Sequence, residues 1–214
     1  MEELLILGET EFQILAAAMG LTRIYGIRPK SEPDEAAVMY TIHEMAGKGI
    51  LVQEGGGFRL REPYRTAVLS MKEAGWILAV TGKDREMSDA CFYLGDRLVS
   101  LEESLQDESA IKIGVHEREE LFPQLSDRGF LPKPFLDPDI AGLQERETAF
   151  WDEENVYARY LLLAAGGERQ EAVRDFSLIR EAGGYRVAER TGDLREYWEY
   201  EAQAFYEMLI SCMG

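Results

Sequence analysis

The sequence has few cysteines and no long apolar run. Only two cysteines occur, Cys91 and Cys212, and they form no Cys-x-x-Cys pair. Two cysteines exclude a disulfide framework, and we expect both thiols to be reduced and mostly buried. No segment approaches the roughly 18 consecutive apolar residues of a membrane-spanning helix. Residues 1–7 are acidic where a signal peptide would be basic. We therefore expect a cytoplasmic protein with no membrane partner.

The motifs of common enzyme chemistry are also missing. His43 and His116 are each followed by glutamate, but Gly47 and Glu120 stand where a zinc-binding His-Glu-x-x-His motif needs its second histidine. The sequence has no Gly-x-x-x-x-Gly-Lys-Ser/Thr phosphate loop and no Gly-x-Ser-x-Gly nucleophile elbow. We predict no catalytic residue, no cofactor and no metal site. An enzyme with a dispersed active site stays open as a second alternative function.

What the chain has in excess is acidic residues. The formal net charge is −17. It divides into −3 for residues 1–74 (8 basic, 11 acidic), −8 for residues 75–150 (8 and 16) and −6 for residues 151–214 (7 and 13). Such a surface repels a phosphate backbone and attracts a partner with a basic surface, although acidity also simply keeps a protein soluble.

Residues 1–74 have the order of elements of a winged-helix domain. The apolar periodicity predicts a strand at 3–7, a helix behind a capping box at Thr10–Gln13, a helix at 33–47, strands at 50–52 and 58–61, and a helix at 63–74. Glycines at 55–57 mark the turn of a hairpin, which would be the wing. The segment from Asp34 to Leu60 carries the pattern, whereas residues 21–32 show no stripe for the usual middle helix.

DNA binding is the alternative function of such a unit, as in a transcriptional regulator with an acidic ligand-sensing body. A recognition helix needs basic and amide side chains on its outer face. The helix predicted at 33–47 offers Asp34, Glu35 and Glu44, with no lysine or arginine inside it. Arginines 59, 61 and 65 do not offset the acidity of residues 1–74. We therefore expect the unit to serve protein contact or packing rather than DNA binding.

From residue 75 onward the apolar period is mostly 2. It predicts strands at 76–80, 90–94, 97–101 and 111–115 and a helix at about 117–129, then strands at 156–165, 172–181 and 185–190 and a long helix at about 193–212. The apolar ladder of that last helix is Leu194, Trp198, Ala202, Phe205, Leu209 and Cys212. Residues 131–154 contain three prolines and are predicted to be a connector, with a helix after Asp139.

The predicted fold class is therefore α+β, with a winged-helix-like unit at 1–74 and an antiparallel sheet body at 75–214. The body consists of two meander-plus-helix halves, 75–130 and 155–213, which share an order of elements but no residue-level identity. We expect the halves to share one sheet covered by helices on one face. Two unrelated α+β pieces are the alternative.

The order of elements resembles one known family. The stretch from Phe176 through the Gly183-Gly184 turn and Tyr185-Arg186-Val187 into the terminal helix carries the resemblance best. Together with the two halves and the small leading unit, this arrangement is similar to the EspG family, cytosolic chaperones of mycobacterial type VII secretion. The resemblance implies a protein that binds a cognate secreted protein and keeps it soluble. It includes no diagnostic motif, so it assigns no functional residue.

We therefore predict non-enzymatic protein binding, such as chaperone or adaptor work in secretion, with a homodimer left open. The predicted partner surface lies on the body and the connector rather than on the winged unit. Its candidate residues are Phe135, Leu136, Phe150 and Trp151, which are aromatic or apolar and stand beside prolines or acidic residues. Apolar anchors rimmed by charge are typical of binding sites. The alternative is that Phe150 and Trp151 only cap the sheet.

Overall fold

The structure is a computed structural model, which describes residues 3–21, 24–27, 32–82, 89–104, 110–133, 155–165, 172–181, 184–191 and 194–213. The chain divides into two compact units. One comprises Met1–Ile77 and Ala90–Arg118, and the other comprises Leu78–Asp89 and Glu119–Gly214. The boundary predicted between residues 74 and 75 stays a prediction.

The described residues form a mixed α+β protein with antiparallel sheet, which confirms the predicted fold class at that level. The first unit contains β1 (Glu3–Gly8), α1 (Glu9–Ala18), α2 (Glu35–Gly47), β2 (Leu51–Glu54), β3 (Gly57–Leu60), α3 (Tyr64–Glu73), β5 (Ala90–Leu94), β6 (Arg97–Glu103) and β7 (Ala110–Glu117). Strand β4 (Trp76–Gly82) spans the boundary between the units. The second unit contains α4 (Leu121–Asp127), β8 (Val156–Ala164), β9 (Ala172–Glu181), β10 (Gly184–Thr191), β11 (Leu194–Glu199) and α5 (Ala202–Ser211).

In the first unit the strands lie in the order β1-β7-β6-β5, each antiparallel to the next. The pairing register places Leu5, Ile113, Leu101 and Cys91 in one row across these strands, and all four side chains are buried. Helices α1 and α3 pack on the strands of this unit. A core of this unit therefore lies between the sheet and these helices.

Helix α1 begins differently from the predicted capping box. The helix starts at Glu9, Gly8 is the N-cap, and a carboxylate oxygen of Glu11 accepts a hydrogen bond of 2.7 Å from the Gly8 backbone N–H. Thr10 is inside the helix, so its predicted capping role with Gln13 is wrong. The reason is that β1 continues to Gly8 and leaves no residue between strand and helix.

The hairpin predicted around the three glycines is present. Strands β2 and β3 pair antiparallel from Leu51 opposite Leu60 to Glu54 opposite Gly57. Gly55 and Gly56 form the turn with φ of +58° and +84°. Positive φ at both central residues gives the type of turn whose twist matches that of paired strands, and glycine adopts it without strain.

In the second unit the strands lie in the order β8-β9-β10-β11, again antiparallel. In the chain, strands β5–β7 precede α4 and strands β8–β11 precede α5. Helix α4 is shorter than the predicted 117–129, because residues 118–120 form a 3₁₀ turn and Gly129 has a φ of +76°.

The long terminal helix predicted from residue 193 is wrong in its first half. Residues 194–199 form β11, in which Trp198 pairs with Val187 of β10. Helix α5 begins only at Ala202, where the Glu201 carboxylate caps it by accepting hydrogen bonds from the N–H groups of Gln203 and Ala204. Aromatic residues favour strands when a neighbouring strand is free to pair, and the spacing of four between positions 194 and 198 is coincidental.

No helix among the described residues is long and apolar enough to cross a membrane.

Candidate protein-binding surface

Helix α2 begins at a side-chain cap and presents most of its surface to solvent. A carboxylate oxygen of Asp34 accepts a hydrogen bond of 2.8 Å from the Ala37 N–H, which satisfies one of the free donors at the helix start. Only two of its residues, Thr41 and Met45, are buried. A helix usually buries a wider apolar stripe than this, so the exposed side of α2 is the feature to explain.

An ion pair links the C-terminal end of α2 to α1. The Lys48 ammonium, just after the helix, lies 2.8 Å from a carboxylate oxygen of Glu11 in α1. Glu11 is buried, and its other oxygen holds the Gly8 backbone. The hydrogen bond to Glu11 raises the pKa of Lys48. The N-terminal start of α1 and the C-terminal end of α2 are therefore joined through one carboxylate.

Two large apolar side chains lie on the exposed side of α2. Met39 is 55% exposed and Tyr40 is 67% exposed. His43 follows Tyr40 by three residues, so these side chains are neighbours on the helix surface, and His43 is also exposed. Glu35 and Glu44 are exposed on the same helix. The outer side of α2 is thus apolar with acidic neighbours.

The hairpin, whose strand β2 contacts α2, carries a further exposed aromatic residue. Residues paired across β2 and β3 share a face, so Phe58 with Gln53 continues the face of Leu60 with Leu51. Leu60 is buried, whereas Phe58 near the turn is 53% exposed. The apolar inner face of the hairpin therefore extends beyond the core. We call the exposed side chains of Met39, Tyr40, His43 and Phe58 the α2–hairpin surface.

Two of the three basic residues between positions 32 and 62 are engaged by carboxylates. Arg59 lies 2.6 Å from Glu54, and Lys48 is held by Glu11. Residues 32–62 contain six acidic and three basic residues. A major-groove reading helix needs basic or amide side chains aimed outward. The exposed side of α2 carries none, so its chemistry suits an apolar surface of a partner bordered by positive charge.

The predicted site residues Phe135, Leu136, Phe150 and Trp151 lie outside the described residues, as does most of the connector. They stay a prediction. Sequence reasoning did not select Met39, Tyr40 or Phe58. The signal was nevertheless present, because the helical stripe through Val38, Thr41 and Met45 leaves Met39 and Tyr40 on the opposite side.

The buried histidine forms a polar pair with a serine. His116 on β7 and Ser100 on β6 are both buried, with Nε2 and Oγ 3.1 Å apart. Gly114 leaves room for the pair, since a methyl group there would overlap both side chains. A nucleophilic serine must meet its substrate, and burial on both strands prevents this here. Within the described ranges no group of three or more acidic, histidine or cysteine side chains could hold a metal ion.

The thiols differ in their surroundings. Cys91 on β5 is buried as expected, whereas Cys212 at the end of α5 is half-buried. Neither cysteine forms a disulfide.

No protein-family model matches the chain, and neither does any curated protein.

Proposed function

We propose that this protein is a non-enzymatic protein-binding protein whose partner docks on the α2–hairpin surface. The observation that carries the proposal is the exposure of Met39, Tyr40 and Phe58 on two contacting elements of one unit. Single exposed apolar residues are normal on a soluble protein. Large ones gathered on a helix and hairpin, one of which is anchored by a buried carboxylate, are typical of an interaction site.

The partner we infer has apolar side chains bordered by lysine or arginine. The acidic residues of α2 and the net charge of −17 would steer such a surface toward the site. Aromatic and methionine side chains are enriched in the centres of interfaces, where they remove apolar area from water. Rigid anchoring of α2 would limit the conformational entropy lost on binding.

Two finer readings belong to this proposal. The first is that residues 1–74 are a winged-helix-like unit used for protein contact, with β2 and β3 as its wing. The second follows from the resemblance to the EspG family, and holds that the partner is a secreted protein kept soluble in the cytoplasm. A partner that carries an export signal would support the second reading.

The experiment is affinity capture from native lysate of the source organism, followed by mass spectrometry. Three forms of the chain are compared: wild type, the double variant Met39→Glu/Tyr40→Glu, and the control Val173→Glu. Val173 on β9 is also a large exposed apolar residue, at 47% exposure. We expect one dominant protein with wild type and the control and its loss with the double variant. Equal capture by all three forms would contradict the proposed surface.

The connector is tested in the same experiment. The variants Phe135→Ala and Trp151→Ala are added, and the stability of each is measured by denaturant unfolding. If these variants lose the captured protein while remaining as stable as wild type, and the α2 double variant keeps it, the partner surface is the connector. If they lose stability but the folded fraction binds normally, the connector residues are core. Nucleic acid in place of a dominant protein would support the transcriptional-regulator alternative.

A further inference from the structure

Strand β1 is an edge strand with an exposed apolar side. Among the described strands it pairs with β7 alone, in an unbroken antiparallel register from Glu3 opposite Val115 to Gly8 opposite Ala110. Leu5 and Leu7 are buried, whereas the alternate residues Leu4 and Ile6 are 60% and 58% exposed. Within the described residues, the outer edge of β1 therefore has no strand partner and carries exposed apolar side chains.

Natural sheets usually protect such an edge. The common devices are a charged side chain in the middle of the strand, a proline, a bulge or a very short strand. Residues 4–8 are Leu-Leu-Ile-Leu-Gly, without charge or proline, and the register with β7 has no shift. An edge of this kind is a template for pairing with another strand.

We propose that a second copy of this chain pairs with β1, antiparallel and about a two-fold axis through Leu5. Residues directly opposite each other on paired strands have side chains on the same face of the sheet. Because side chains alternate between the two faces along a strand, two symmetric copies of β1 must pair odd-numbered residues with odd-numbered ones and even-numbered with even-numbered ones. An axis through Leu5 places Leu4 opposite Ile6 of the other copy, and Ile6 opposite Leu4. The exposed side chains of Leu4 and Ile6 from both copies then form one apolar cluster on a single face of the joined sheet.

The distribution of charge favours this stretch as the place of contact between copies. Each copy carries a net charge of −17, so two copies repel each other over most of their surfaces. The stretch from Leu4 to Gly8 is free of charge, and copies that meet there desolvate no carboxylate in the centre of the interface.

The size of the contact sets the strength expected. One pair of six-residue strands with four apolar side chains is small, and interfaces below about 1,200 Å² in total belong to weak and transient complexes. The dimer is therefore in equilibrium with monomer, and salt strengthens it by screening the repulsion between the copies.

Dimerisation through β1 goes beyond the proposed function and involves no residue of the α2–hairpin surface. The two claims also differ in salt dependence, because binding of a basic partner weakens with salt. Loss of one therefore leaves the other standing.

The first test is sedimentation of the purified chain over a range of concentrations at low and high salt. We expect a reversible monomer–dimer equilibrium that shifts toward dimer at high salt. The variant Leu4→Lys/Ile6→Lys should be monomeric throughout, because it places four ammonium groups in the cluster. The control Val173→Lys should dimerise like wild type, and circular dichroism should show that all three forms are folded. A wild-type chain that stays monomeric up to ~1 mM at both salts overturns the proposal, as does a dimer that the double variant retains.

The second test reads the register. Leu4→Cys and Ile6→Cys are made separately in a Cys212→Ser background, with Cys91 left in place because it is buried. We expect mild oxidation to give a disulfide-linked dimer mainly when the two variants are mixed, because position 4 of one copy faces position 6 of the other. Equal crosslinking of each variant alone would contradict the two-fold axis through Leu5.

Discussion

Residues 24–27, between α1 and α2, are held against the sheet by hydrogen bonds to the Tyr93 side chain. Tyr93 on β5 accepts a hydrogen bond of 2.9 Å from the Tyr25 N–H and donates one of 3.1 Å to the Tyr25 carbonyl. Gly26 follows with a φ of +89°, directly over the Cys91 sulfur. Because Cys91 and Tyr93 alternate along β5, both point to the same face, and residues 24–27 lie across it.

Replacing Gly26 with alanine should therefore be costly. The new methyl group would overlap the Cys91 sulfur, and the backbone is in the region that favours glycine. We expect Gly26→Ala to lower the free energy of unfolding by roughly 2–4 kcal/mol, from strain and overpacking together. Gly55→Ala is the matched control, since Gly55 also has positive φ but open space around it. Urea unfolding that shows equal losses for both variants would contradict the close contact.

Ionisation of the Tyr93 hydroxyl should make the folded protein less stable at alkaline pH. Burial raises the pKa of Tyr93 above its ordinary value. The unfolded phenol ionises near pH ~10 and the folded one does so only at higher pH, so the stabilisation is present below pH ~10 and lost as pH rises above it. At neutral pH, Tyr93→Phe should cost about 1–3 kcal/mol because it leaves the Tyr25 backbone groups without this partner.

The check is denaturant unfolding of wild type and Tyr93→Phe at pH ~8 and pH ~11. The stability difference between them should shrink at the higher pH, because only wild type has the Tyr93 phenol to ionise. A difference that stays constant would show that the hydroxyl does not titrate with unfolding.

Among the secondary-structure elements, α5 shows most clearly what periodicity can and cannot predict. Its buried residues Phe205 and Leu209 belong to the predicted apolar ladder, and that part of the prediction is confirmed. The ladder fails at Leu194 and Trp198, which lie in β11. The helical spacing of these side chains leaves out the pairing of β11 with β10, the strand that directly precedes it in the chain. Likewise, the start of α1 depends on how far β1 pairs with β7.

Helix α5 is held by an aromatic cluster in its own unit. The Phe205 ring lies 5.0 Å from Tyr160, 6.0 Å from Phe176 and 5.9 Å from Tyr200, measured between ring centroids. The Tyr160 hydroxyl donates to the Phe130 carbonyl, which follows α4. The contacts of Phe205 with Tyr160 and Phe176 are edge-to-face, and such contacts stabilise beyond the apolar area that each ring buries.

Phe205→Ala should therefore cost about 3–5 kcal/mol, because it leaves a cavity among these rings. The matched control is Ile210→Ala on the same helix, where the side chain is exposed and the loss should be well under 1 kcal/mol. Trp198 is only half-buried, so Trp198→Ala should cost less than Phe205→Ala. Chemical denaturation that ranks Ile210→Ala above Phe205→Ala would contradict this packing.

For the molecule as a whole, the pattern of apolar residues along the chain predicted more of the fold than sequence motifs did. Alternation of apolar residues predicted the antiparallel strands, because one buried face forces a period of two. The stripe through Val38, Thr41 and Met45 indicates which side of α2 is buried, but it could not show whether another element covers the opposite side. Neighbouring prolines and acidic residues are the basis for predicting the anchors Phe135, Leu136, Phe150 and Trp151. Exposure is what distinguishes Met39 and Tyr40 from the other apolar residues of α2, and exposure is known only from the folded structure.

The acidity of the molecule also predicts its behaviour toward nucleic acid. We expect no binding of duplex DNA at physiological salt, because the outer side of α2 lacks basic side chains and the chain carries a net charge of −17. Affinity for DNA depends on the release of counterions by lysine and arginine. A saturable, salt-sensitive mobility shift with a fragment of its own promoter at submicromolar protein would refute this expectation.

The central claim is that the α2–hairpin surface binds a partner with positive charge around apolar residues. The most direct measurement is the dissociation constant of the captured, purified partner, by calorimetry at two salt concentrations, for wild type, Tyr40→Ala and Val173→Ala. A central aromatic anchor should raise the dissociation constant by about tenfold or more when removed, while Val173→Ala should leave it unchanged. Wild-type affinity should also fall at the higher salt. The same dissociation constant for Tyr40→Ala and wild type, independent of salt, would contradict the claim.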